Sequence, residues 1–111
     1  MIVHICERAA WEQAQKTGEY RPASLAEEGF IHASQPGQVL GVANRFYLGR
    51  QDLLLLWIDQ ERVRPDIRYE PADGDLFPHI YGAINLDAVV AIFPFPPDTD
   101  GMFRQFPQEK T

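Results

Sequence analysis

One cysteine, Cys6, stands in the whole 111-residue chain. A single thiol makes no intramolecular disulfide and no multi-cysteine zinc motif. Basic residues are also few, 10 Lys and Arg against 16 Asp and Glu, giving a formal net charge of −6. A nucleic-acid interface needs clustered Lys and Arg against the phosphates, so a nucleic-acid partner is not expected. A small anionic ligand held by one or two local cations stays compatible with the acidic balance. Long apolar runs are missing: the longest is "LLLLWI", residues 53–58, far short of the roughly 20 residues a spanning helix needs. The opening "MIVHIC" is too short for a signal core and lacks a basic lead. No membrane partner is expected, and a cytoplasmic location is. No glycine-rich fingerprint follows a strand, which excludes a Rossmann or P-loop reading.

What is present reads as one domain, residues 1–111, with a core over 1–95 and an irregular tail over 96–111. The tail holds several prolines and is expected to lie over the surface, anchored by Phe103 and Phe106. "MIVHIC" alternates as a strand, with Ile2, His4 and Cys6 on one face. "ERAAWEQAQKTG" reads as a helix that stops at Gly18. Ser24 and Glu27 fit a capping box for a helical turn over 25–28, closed by Gly29. "FIHAS" is a strand with Phe30, His32 and Ser34 on one face. "QPGQVLGVANRFYLG" is a second helix, with Pro36 at its first position and Gly49 just past its end. "DLLLLWID" has no alternation and fits a central strand covered on both faces. "IRYE", "FPHIYGAI" and "DAVVAIFPF" complete about six strands. With helices gathered in the first half, the pattern is α+β with a mixed or antiparallel sheet.

The three histidines, His4, His32 and His79, all fall in strand-like segments among apolar neighbours. Any one of them alone is explained by a bond to a backbone carbonyl and simple packing. Together they suggest a shared cleft, because strands bring distant positions into contact. Imidazole can donate, accept or change charge near neutral pH, which suits a binding or catalytic site. Ser34 lies on the side of His32, and Tyr81 stands in the same relation to His79. Arg68 and Glu70 share a face and fit an exposed cross-strand ion pair. Cys6 fits a buried, inert thiol. Three imidazoles could also hold a zinc ion with one open position.

The stretches "YRPASLAEEGFIHAS", "GVANRFY", "LLLLWID" and "LFPHIYGAINLDAVVAI" resemble the bacterial domain-of-unknown-function family 952, over nearly the whole chain up to about Phe95. "GFIHxS" and "LFPHIYG" are specific as a pair. The resemblance implies an ADP-ribosyltransferase-like fold: a mixed, mainly antiparallel split β-sheet with two to three helices around a cleft for nicotinamide dinucleotide. Some members carry glutathione-transferase-like names, but the thioredoxin-type N-terminal pattern is not found here.

On that likeness His4 contacts a ribose hydroxyl and the backbone of Ile5 holds the nicotinamide amide. His32 with Ser34 belongs to the motif whose ring packs by the nicotinamide, and Tyr81 adds to the cofactor contacts. His79 falls near the position where active transferases carry a glutamate. A carboxylate there stabilises the oxocarbenium charge of the breaking bond, and a neutral imidazole brings none. Ile5 and Cys6 also stand where a small residue and a hydroxyl are usual. These departures weaken a protein-modifying activity. They leave open NAD or ADP-ribose binding and a variant transfer or hydrolysis, with His79, His32 and His4 as catalytic candidates and NAD as cofactor. The alternatives are a non-catalytic module that binds a nucleotide or a protein partner, and the three-histidine metal site.

Overall fold

The computed structural model describes residues 1–107; the last four residues of the expected tail, 108–111, lie outside the described residues. In chain order the elements are β1 (Ile2–Glu7), α1 (Arg8–Thr17), β2 (Glu19–Tyr20), α2 (Ala23–Glu28), β3 (Ile31–His32), α3 (Val39–Phe46), β4 (Leu53–Ile58), β5 (Ile67–Ala72), β6 (Asp75–Ile80), β7 (Ile84–Asn85) and β8 (Val89–Pro94). The result is α+β with three helices. Every strand pairing among the described residues is antiparallel, so the mixed component expected of the sheet is not found.

The apolar run of β4 sits at the centre of a three-stranded sheet of order β1–β4–β8. Its alternate side chains enter two separate cores. Leu54, Leu56 and Ile58 join Ile2, Cys6, Trp11 and Ala14 on one side. Leu53 and Leu55 join Val3, Ile5, Val39, Ala43, Phe95 and Phe103 on the other. Burial on both faces is why this strand shows no alternation in sequence. A second three-stranded sheet has the order β3–β6–β5, and β2 pairs with β7 as a small ribbon.

Several local expectations are corrected. "FPHIYGAI" is two strands, β6 and β7, separated at residues 81–83. Helix α2 begins at Ala23 after Pro22, with no side-chain cap, so the Ser24–Glu27 box is not made. A short 3₁₀ turn, Pro36–Gln38, precedes α3, which ends at Phe46, so Gly49 is not its closing residue. Residues 96–107 form no helix or strand. Phe103 is nevertheless 2 % exposed, packs 4.9 Å from Phe95, and has its backbone held from both sides by the Asn44 amide.

Candidate functional site

The two larger sheets meet at one point. Val3 and Ser34 exchange a pair of backbone hydrogen bonds, each 2.8 Å. Beyond it the strands part: β1 continues along β4, and β3 turns to pair with β6. Continuing the Val3–Ser34 register would set Ile5 opposite His32. That pair is not made. The His32 carbonyl instead accepts a hydrogen bond from His4 Nδ1 at 2.5 Å. His4 thus acts as a wedge at the fork, and a cleft of about 660 Å³ opens there.

His4 is 7 % exposed and uses both ring nitrogens. Donation from Nδ1 to a carbonyl fixes the tautomer by its network, which leaves Nε2 to accept from the Tyr20 hydroxyl at 2.8 Å. Burial pulls its pKa down to about 4, with the His32 carbonyl pulling the other way, so the ring is neutral near pH 7. Burial likewise raises the Tyr20 hydroxyl and pushes the Cys6 thiol up to about 11. No ring nitrogen of His4 is free for a ligand.

His32 and His79 face each other across β3 and β6 as register partners, with ring centroids 5.5 Å apart. Gly29 ends α2 at φ 86, the left-handed turn that carries the chain from helix into strand. Phe30 follows and packs against both rings, stacked on His79 at 4.2 Å and edge-on to His32 at 4.8 Å. Each imidazole has its own carboxylate. Exposed His32 donates from Nε2 to Glu28, and His79 donates from Nδ1 to Glu70 Oε1 at 3.0 Å. The same Glu70 oxygen accepts the Tyr81 hydroxyl, whose ring lies under the Arg68 guanidinium at 4.7 Å. Tyr81 first, then His79, holds the Glu70 carboxyl below its usual range.

The lone pair left on His79 Nε2 has no hydrogen-bond partner among the described residues, and no buried polar side-chain atom there is without one. His79 itself is 7 % exposed and lines the cleft, so Nε2 is its opening to solvent. Ser34, 6 % exposed, also lines the cleft and makes no side-chain hydrogen bond among the described residues. The wall opposite is apolar, built from Val42, Phe46 and Tyr47 of the α3 segment.

The cleft therefore gathers His4, Ile5, His32, Ser34 and His79. Tyr81 does not line it, because its hydroxyl turns to Glu70. Arg68 and Glu70 do not pair with each other: Arg68 lies 3.8 Å from Asp66, and Glu70 serves His79. Among the described residues no three His, Cys, Asp or Glu side chains converge as a metal needs, and His4 has no lone pair to offer, so the three-histidine metal centre is not assembled. Sequence reasoning missed Glu28 and read Glu70 only as an exposed ion-pair partner of Arg68, whereas each carboxylate holds an imidazole. Glu28 lies four residues before His32. Glu70 is one step diagonal from His79, whose direct register partner is Arg68.

The model of the family described as protein of unknown function (DUF952) matches residues 5–92. The crystal structure of protein CC0527 from Caulobacter crescentus is 30 % identical in sequence, over 93 % of this chain and 92 % of that one, with a TM-score of 0.85. A crystal structure of a double mutant of that protein gives 0.84, and its solution NMR structure gives 0.78 over 90 % of this chain and 88 % of that one. No curated protein matches the chain. No helix among the described residues is long and apolar enough to cross a membrane.

Proposed function

The chain belongs to the DUF952 family, and on that premise we propose that the cleft binds the ribosyl-nicotinamide end of NAD, or an ADP-ribose-like nucleotide, within an ADP-ribosyltransferase-like split sheet, and cleaves or transfers at the ribose. The observation that carries this reading is His79, which lines the cleft, is held by Glu70 through Nδ1 and has no partner on Nε2 among the described residues.

Three features support it. First, backbone N–H and C=O groups alternate in direction along a strand, so those of Ile5 point as those of Val3 do, into the fork. No bond from Ile5 crosses the fork, which leaves one donor and one acceptor beside the cleft. A nicotinamide carboxamide offers the complementary pair. Second, the apolar wall and the His32 ring suit a flat aromatic ring, and Glu28 suits its positive charge in NAD. Third, His79 Nε2 can accept a hydrogen bond from a ribose hydroxyl. A lone imidazole would bring no negative charge, but Glu70 supplies one through the ring. As the glycosidic bond breaks, nicotinamide leaves with the bonding pair and positive charge grows on the ribose. Water or another acceptor then bonds to the anomeric carbon and gives up its proton to solvent. His4, with no free nitrogen, is a positioning residue that sets the His32 backbone.

The test is nicotinamide release from NAD by the full chain, with thermal shifts in NAD, ADP-ribose and zinc alongside. Release that falls about 100-fold in Glu70→Gln, with melting little changed, is the expected result. A nucleotide shift without release would make the cleft a binding module. No shift and no release would remove the reading.

A further inference from the structure

A second hollow of about 320 Å³ shares the walls Val42, Phe46, Asp73 and Phe77 with the main cleft, so the two form one groove. Three observations about this extension need a reason. Phe46 stands between the two chambers and is 60 % exposed, although other aromatic rings on this wall are better covered. The Arg45 guanidinium lies over the Phe46 ring, 5.3 Å from its centroid, and a phenyl ring this exposed at the junction of two hollows leaves area for a flat base to stack beside it. Gly37 and Gly41, which line the extension, face open space where a Cβ would lie. Among the described residues Arg45 is the only Lys or Arg lining either chamber, and it lies 3.1 Å from Asp73 at the β5–β6 turn. Both partners are half-exposed, so the pair is weak and is readily exchanged for a better anion.

We propose that the extension is the second half of a dinucleotide site: the diphosphate takes Arg45 from Asp73, and the distal base stacks on Phe46. The proposal rests on the reading above, since it presumes that the nicotinamide end occupies the main cleft. It assigns residues to the half of NAD that the main cleft does not hold, the diphosphate and the distal base. Asp75, the other acid of the extension, already accepts from the Gln38 amide at 2.9 Å and from the Leu76 N–H at 2.8 Å. Arg45 and Phe46 are surface residues, so their replacement leaves the core intact.

The experiment is calorimetric titration of the full chain with NAD and with nicotinamide riboside, which carries the same reactive end without diphosphate or second base. NAD is expected to bind about tenfold or more tightly than the riboside, from stacking and charge together. Arg45→Gln reduces that advantage and leaves riboside binding unchanged, whereas Phe46→Ala, on a wall shared with the main cleft, weakens both ligands and NAD the more. Asp73→Asn frees Arg45 and tightens NAD. Equal binding of the two ligands, or an NAD advantage untouched by all three substitutions, would overturn the dinucleotide site and leave the main cleft standing. Failure of both ligands to bind would overturn the nicotinamide reading and this extension with it.

Discussion

His79 Nδ1 lies 3.0 Å from Glu70 Oε1, across two neighbouring strands. Their register makes Arg68 the direct partner of His79, so the Glu70 side chain reaches diagonally to the ring. Tyr81 binds the same oxygen from the other side. One carboxylate therefore fixes the tautomer of the imidazole and leaves Nε2 as its acceptor.

Replacing Tyr81 with Phe removes one of the two donors on Glu70 and leaves the other. Because Tyr81 is the larger cause of the low Glu70 pKa, the carboxyl should titrate at a higher pH in Tyr81→Phe. Carbon-13 NMR of the carboxyl resonances measures this. An unchanged Glu70 titration would show that the hydroxyl does not act on the carboxylate.

His4 makes stability depend on pH with a definite sign. Its folded pKa is about 4 against an ordinary 6.5. Above 6.5 the ring is neutral in both folded and unfolded chains. As the pH falls from 6.5 towards 4 only the unfolded chain takes up the proton, so stability is lost across that window, by roughly 3 kcal/mol. Below about 4 this contribution is spent. His4→Asn cannot ionise. Its deficit in urea unfolding relative to the parent chain should shrink between pH 7 and pH 4.5. A constant deficit would contradict the buried neutral ring.

Much of the scaffold was legible, for physical reasons. The run at residues 53–58 is apolar at every position because both faces of β4 are buried, and residues 2–6 are apolar except for His4 because β1 feeds the same two cores. The glycines at 18 and 29 end helices at positive φ, as their positions suggested. The two-residue strands β2, β3 and β7 carry too few residues for any period. The approach of His32 and His79 was readable as a hypothesis, since both lie in strands. Their carboxylates were not: Glu70 reaches His79 through a cross-strand diagonal, and Glu28 reaches His32 around the turn at Gly29. Neither relation is a fixed spacing in sequence. The occupied nitrogens of His4 were hidden for the same reason, because Tyr20 and the His32 carbonyl come from other elements.

The segment after Phe95 is part of the second core through Phe103. Phe103→Ala should destabilise the protein by about 3–5 kcal/mol, as for other buried aromatic truncations. Chemical denaturation measures it. A change below 1 kcal/mol would mean the segment is not held against the core.

Cys6 is 1 % exposed, and burial raises its thiol to about 11. It should resist a thiol reagent at pH 8 in the native chain and react at once in urea. Rapid native labelling would contradict its place in the core.

The chain has three histidines, so their ring C–H signals can be followed one by one during an NMR titration with NAD. The expected result is a saturable shift of the His79 and His32 rings with a much smaller change at His4, and its loss at His79 in Glu70→Gln. Rings unmoved at millimolar NAD, or a response centred on His4 alone, would contradict a nucleotide site built on the Glu70–His79 pair.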